Sequence, residues 1–175
     1  MEVHMNRQQI IAHLTVNGDV FRHLFENLSD EQARWKPGAN KWSLLEVINH
    51  LYDEEREDFR KRLALVLKNP GEPWPAIDPE GWVNQRRYNQ MILNESLDNF
   101  FGERTKSLKW LHGLERPNWQ AAHRHPKMGP MSAELLLANW LAHDLFHIRQ
   151  VNDLHFAYLS RMTSPVSLAY SGWEQ

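Results

Sequence analysis

The chain has 175 residues, of which 42% are hydrophobic, and its 20 basic and 22 acidic residues give a formal net charge of −2. This is the length of an ordinary domain with enough apolar residues for a core, so we expect one domain over residues 1–175. The balanced charge gives no support for a nucleic-acid partner, and the absence of cysteine excludes disulfides, thiolate metal ligands and a cysteine nucleophile.

The first predicted element is a helix from about His4 to Asn27, in which apolar residues recur near the helical period of 3.6. The first residues, Met1 to Gln9, are polar and mixed and contain no apolar signal segment, and no later segment approaches the length of a membrane span. We therefore expect a cytoplasmic protein with no membrane partner. Residues Ser29–Trp42 contain the turn signal Lys36-Pro37-Gly38 and are predicted to be a connector.

The second predicted helix begins after Ser43 and ends near Lys68. Ser43 and Glu46 have the spacing of a capping box, in which each side chain accepts the other residue's backbone N–H. Trp42, just before the cap, is placed to pack on Val47. The turn formers Asn69-Pro70-Gly71 end this helix.

The prolines of Glu72–Gly81 predict a long crossover loop, followed by a third helix over about Trp82–His112. A further loop, Asn118–Pro130, precedes a fourth helix that begins at the N-cap Ser132 and runs to about Leu159. We predict no strand, and an irregular tail after Leu159. The fold class expected from this pattern is all-α, a four-helix bundle with a long crossover loop.

A pair of histidines on the fourth helix is the strongest chemical signal. His143 and His147 are four residues apart, so both imidazoles lie on one helix face, one turn apart, which suits chelation of one metal ion. The alternative is a packed pair that is hydrogen-bonded without metal. The segment His-Asp-Leu-Phe-His lacks the glutamate of H-E-x-x-H metalloproteases, which excludes that class.

His50 on the second helix is the candidate third ligand. Three histidines would leave coordination positions open for water or substrate, as catalytic metal sites do. Taken alone, His50 is more typical of a partly buried core histidine than of a metal ligand. Glu54, one turn later, and Gln150, beside the pair, are the candidate catalytic residues, placed to orient the ligands or a bound water. The alternative for Glu54 is a surface salt bridge.

Two longer motifs resemble the signatures of the DinB-like (DinB/YfiT-like) metal-binding superfamily. They are Trp42-Ser43-Leu44-Leu45-Glu46-Val47-Ile48-Asn49-His50 and Ala142-His143-Asp144-Leu145-Phe146-His147-Ile148-Arg149-Gln150, with similar short motifs at Gly129–Ser132 and Ala169–Gly172. The resemblance implies a four-helix bundle that is often dimeric. It implies one Zn²⁺ or Ni²⁺ ion on His50, His143 and His147. Some relatives are thiol S-transferases that use bacillithiol, mycothiol or glutathione, and one group contains a maleylpyruvate isomerase.

Three functions remain open from the sequence. The first is a metal-dependent thiol S-transferase, whose thiol must be a small molecule because the chain has no cysteine. Trp82 and Tyr88, which open the third predicted helix, are candidates for its pocket wall. The second is a metal-dependent hydrolase. The third is a non-enzymatic metal-binding or dimerisation module, and a homodimer is expected through the apolar fourth helix.

Overall fold

Four long helical stretches form the predicted bundle in the computed structural model, which describes residues 5–173. In chain order, the elements are α1 (Arg7–Leu24), α2 (Asp30–Arg34), α3 (Leu44–Asp53), a π-helical segment (Glu54–Phe59), α4 (Arg60–Lys68), α5 (Pro79–Gln85), a 3₁₀ turn (Tyr88–Gln90), α6 (Leu93–His112), β1 (Ala122–His125), β2 (Gly129–Ser132), α7 (Ala133–Thr163) and a 3₁₀ turn (Ala169–Ser171). The second long stretch is continuous from α3 through the π-helical segment to α4. Within the described residues, no helix is both long and apolar enough to cross a membrane.

The predicted helix starts are confirmed where side chains cap the backbone. Ser43 Oγ accepts the backbone N–H of Glu46 at 3.1 Å, and Glu46 Oε2 accepts that of Ser43 at 2.9 Å. Ser132 Oγ accepts the N–H of Leu135 at 3.1 Å and starts α7. These caps satisfy N–H groups that the first helical turn leaves without partners. The predicted start of the first helix at His4 lies outside the described residues.

The crossover region differs from the sequence prediction in two ways. Helix α5 begins inside the segment predicted to be a loop, because proline is tolerated at the first helical position and Asp78 caps the N–H of Gly81 at 3.0 Å. The single helix predicted from Trp82 to His112 is wrong. It is broken after α5, where Arg87 has a left-handed backbone with φ 52°, and α6 starts only at Leu93.

A short antiparallel hairpin replaces the loop predicted over Asn118–Pro130. Strands β1 and β2 pair with His123 opposite Met131 and His125 opposite Gly129. Side chains alternate along a strand, so His123 and His125 share one face while Arg124 lies on the other, exposed one. The strands are only four residues long, too short for a reliable alternation in sequence. Two smaller differences are α2 inside the predicted connector and the end of α7 at Thr163.

The core consists of two apolar clusters separated by a buried polar layer. On α7 one cluster ends at Leu141 and the other begins at Ile148, and on α1 they are separated by the buried residue Asn17. The residues between the clusters include buried acids, a buried arginine and the histidines of α7. Burial of such groups is costly unless each finds a partner, so this layer is where a functional site is expected.

Candidate metal centre

The three candidate ligands converge at one point in the polar layer. Nε2 of His143 lies 3.4 Å from Nε2 of His50 and 3.1 Å from Nε2 of His147. The three candidate ligand atoms all lie within 4.8 Å of one another. His50 reaches the point from α3, while the four-residue spacing on α7 brings the other two rings from one helix face. The structure thus brings together residues that are far apart in the chain.

The spacing of the three nitrogens fits a divalent metal ion. Zinc–histidine bonds of about 2.0–2.1 Å in a tetrahedral set separate the ligand nitrogens by about 3.3 Å, close to both observed distances. Gln150 Oε1 accepts a hydrogen bond from His147 Nδ1 at 2.7 Å, which leaves the lone pair of that ring on Nε2, facing His143. Nitrogens that face one another in this way are suited to an ion such as Zn²⁺ or Ni²⁺.

The electrostatic surroundings keep the three rings neutral. Burial lowers the pKa of His50 to about 3, with a further effect from His147. Burial also lowers the pKa of His147 to about 4, against opposing effects of Gln150 and Asp144. For His143, burial and then the two neighbouring rings lower the pKa well below its ordinary value. Neutral imidazole is the form that binds metal, so protons do not compete for the ligands near neutral pH.

Glu54 is buried beside the histidines and not part of a surface salt bridge, so that alternative interpretation is wrong. Its Oε1 atom has no hydrogen-bond partner. Burial raises the pKa of Glu54 to about 8, and the neighbouring carboxyl of Asp58 adds to the effect. Arg62 opposes this effect only in part, because its Nε atom pairs with Asp58 Oδ1 at 2.8 Å. The protonated form of Glu54 is therefore favoured in the metal-free protein.

A buried ion network that the sequence analysis missed lies under the histidines. The guanidinium of Arg104 binds both oxygens of Glu55, at 2.9 Å each, and both oxygens of Asp144, at 2.7 Å each. The indole N–H of Trp140 also donates to Glu55, at 3.1 Å. One cation and two carboxylates leave a net charge of −1, which complements a cation at the adjacent histidines. The available signal was Arg104 itself, which falls in the apolar stripe of α6 between Phe100 and Leu111.

The histidines and Glu54 open into a cavity of about 660 Å³. Other residues of its wall are Trp42, Ile77, Phe146 and Gln150. Trp42 packs on the site directly, with its ring centroid 4.9 Å from that of His50. The prediction that Trp82 and Tyr88 form the wall is wrong, because both are buried in a small cluster against Trp42 and Ile77. Asn139, one helical turn before His143, points away from the site: it is exposed and donates to Leu135 O at 2.9 Å.

The free energy of unfolding of the metal-free protein is expected to be greatest at about pH 7. As the pH falls below 6.5, the histidines take up protons in the unfolded chain but not in the folded one, so the free energy of unfolding falls. Between pH 4.5 and about 8, Glu54 keeps its proton in the folded protein but loses it in the unfolded chain. The free energy of unfolding therefore falls with rising pH once the histidine effect has ended. Urea unfolding in the presence of a chelator, repeated across this pH range, measures how the free energy of unfolding depends on pH. Glu54→Gln should remove the decline on the alkaline side; an unchanged decline would contradict the assignment.

Comparison with known proteins identifies relatives of the chain. The family model of the DinB superfamily matches residues 13–151. Among solved structures, YfiT from Bacillus subtilis, described as a probable metal-dependent hydrolase with an unusual four-helix bundle topology, superposes with a TM-score of 0.76 and 18% identity. The match covers 88% of this chain and 89% of that one, and at this identity it shows the fold alone. No curated protein matches the chain.

Proposed function

The chain belongs to the DinB superfamily, and from that membership we propose that it is a metal-dependent enzyme that transfers a low-molecular-weight thiol to an electrophilic small molecule. In this proposal residues 1–175 act as one domain, and His50, His143 and His147 hold one Zn²⁺ or Ni²⁺ ion. The observation that carries it is the convergence of three imidazole nitrogens at the wall of a cavity of about 660 Å³. A cavity of that size accommodates an organic substrate beside the ligands.

The residues around the ligands have separate tasks in this reaction. When bound, a divalent ion supplies Lewis acidity that lowers the pKa of a coordinated thiol or water. Gln150 fixes the ring of His147 through its Nδ1–H. Glu54, a buried carboxyl in the cavity wall, transfers a proton to the leaving group of the electrophile. Trp42 and Phe146 supply apolar contacts for the substrate.

Small-molecule thiol chemistry is consistent with the composition of the chain. No cysteine is present to act as a nucleophile, so sulfur must enter from outside. The proposal also includes a homodimer. It is supported by the apolar side chains of Leu145 and Phe146 on α7, which are 55% and 62% exposed beside the cavity.

A metal-dependent hydrolase is the second candidate. Two observations favour it: the description of YfiT as a probable metal-dependent hydrolase, and a titratable carboxyl, Glu54, in the cavity wall. A glutamate beside a zinc-type site can serve as the proton-transfer group of hydrolysis as well as of thiol transfer. The residues are thus common to both reactions, and only substrates separate them.

An activity screen of the zinc- and nickel-loaded protein separates the candidates. We expect turnover when a small thiol is combined with an alkyl or aryl electrophile, and none with esters or amides alone. Glu54→Gln should lower turnover by about 10²-fold while metal content is unchanged. The exposed Glu115→Gln is the matched control and should have parental activity. Hydrolysis without thiol would replace the proposal by the hydrolase, and full metal loading without turnover in either panel would favour a non-enzymatic module.

A further inference from the structure

A second pocket lies next to the metal cavity and has a different chemical character. Its volume is about 500 Å³, and its wall is formed by Arg62 of α4, Trp74 of the crossover loop and the two histidines of β1, His123 and His125. Ile77 borders both cavities. None of the described residues that line the second pocket is acidic. The proposed function makes no use of this pocket.

Two buried hydrogen-bond donors in this pocket lack a well-directed acceptor. Among the described residues, four buried side-chain polar atoms lack a hydrogen-bond partner. His50 Nδ1 and Glu54 Oε1 belong to the metal cavity, while Arg62 Nε and Trp74 Nε1 belong to the second pocket. Arg62 Nε lies 2.8 Å from Asp58 Oδ1 without a well-directed hydrogen bond. Burying a donor without an acceptor is costly, so the indole N–H of Trp74 indicates a missing acceptor.

The histidines of the hairpin add a third donor. His125 Nδ1 accepts the backbone N–H groups of Lys127 and Met128, at 3.3 and 3.1 Å, so in the neutral ring the proton is on Nε2. His123 Nδ1 donates to Pro70 O at 3.0 Å, because a carbonyl oxygen can only accept. The N–H group at His125 Nε2 therefore has no acceptor among the described residues.

The faces of Trp74 are used by the protein itself, which limits what the pocket can bind. The His123 ring stacks on the indole with centroids 4.5 Å apart and an interplanar angle of 20°, and the Arg62 guanidinium carbon lies 4.7 Å from the indole centroid. These contacts order Arg62 and the histidines around the indole N–H. The pocket thus offers directed N–H groups, including the guanidinium that Arg62 shares with Asp58, instead of a free stacking surface.

We propose that this pocket binds the carboxylate or phosphate group of an organic ligand. An oxyanion complements the Arg62 guanidinium and supplies the acceptors that Trp74 Nε1 and His125 Nε2 lack, and the volume exceeds that of a lone inorganic ion. Pro73 and Pro75 have no N–H and give an apolar surface for the rest of the ligand. The remaining wall residues are Gly71, Ala76, Ile77 and Pro126. The site is separate from the metal ligands and does not depend on the proposed reaction.

Nuclear magnetic resonance titrations with inorganic phosphate and with succinate test this proposal. The ring signals of His123 and His125 report binding, at constant ionic strength with chloride as the reference salt. We expect saturable shifts with at least one probe; phosphate alone or succinate alone would identify which oxyanion the pocket takes. Arg62→Gln and Trp74→Phe should each weaken binding about tenfold, because each removes one donor and the second keeps an aromatic ring.

Arg124→Gln is the matched control, since it removes one positive charge from the same strand but from the opposite, exposed face. It should leave binding unchanged. The His143→Ala variant, titrated in parallel, should also respond as the parent does, because the site does not require metal. No saturable shift with either probe would overturn the proposal. Equal weakening by Arg62→Gln and Arg124→Gln, or loss of the response in His143→Ala, would do so too.

Discussion

Replacing His143 with alanine is expected to reduce bound metal from about one ion per chain to almost none. His143 lies between the other two ligands, with its Nε2 3.4 Å from His50 and 3.1 Å from His147, so its removal leaves no pair of nitrogens as close. Two ligands do not hold a divalent ion of the zinc type against a chelator. Elemental analysis after dialysis against a weak chelator measures the loss.

Two further variants make the result interpretable. His23→Ala removes an exposed histidine and should retain the parental metal content. Gln150→Ala removes the hydrogen bond that orients His147 and should weaken metal binding by about tenfold without abolishing it. Equal metal content in His143→Ala and the parent protein would refute the three-histidine site, and with it both enzymatic proposals.

Arg104→Met is expected to cause the largest loss of stability, about 3–5 kcal/mol in the free energy of unfolding. Methionine fills much of the space but leaves Glu55 and Asp144 buried, adjacent and without their cation. The side chains of Glu55 and Asp144 are only 2% and 1% exposed, so water cannot replace the lost hydrogen bonds. Urea unfolding of the chelator-treated protein measures the change independently of metal.

The control for this variant is Arg149→Met, whose ion pair with Asp153 is long, at 3.9 Å, and whose side chain is 84% exposed. It should change stability little. Adding Glu55→Gln and Asp144→Asn to Arg104→Met should restore part of the lost stability, because neutral amides are less costly to bury than unpaired carboxylates. A loss no greater than that of Arg149→Met would mean that the network does not stabilise the fold.

Features with a local cause were predictable from the sequence. The capping box of α3 and the N-cap of α7 depend on residues three apart, and the approach of His143 to His147 depends on the four-residue turn of a single helix. The four-helix bundle followed from the apolar periodicity of the long helices. The inclusion of His50 depended on a longer motif, since its own position in α3 is also typical of a core histidine.

Features that depend on distant partners were not predictable. Glu55 and Asp144 are 89 residues apart in the chain. In the sequence each is typical of a surface acid, and only the structure shows that both bind Arg104. Trp42 has a local role in the sequence, but its contact with His50 and the cavity depends on how α5 and α7 pack around it. The hairpin was missed because short strands in a histidine- and proline-rich segment carry almost no periodicity.

The π-helical segment Glu54–Phe59 determines which side chains of the second long helix face each of the two cavities. A π-helical stretch holds one residue more than the α-helix would, so side chains after it are rotated by about 100° relative to those before it. The second long helix therefore consists of two halves with different rotational phase, one carrying His50 and the other Arg62. Deleting one residue from the segment would rotate Arg62 about the helix axis and break its contact with the Trp74 ring, while His50 would keep its orientation.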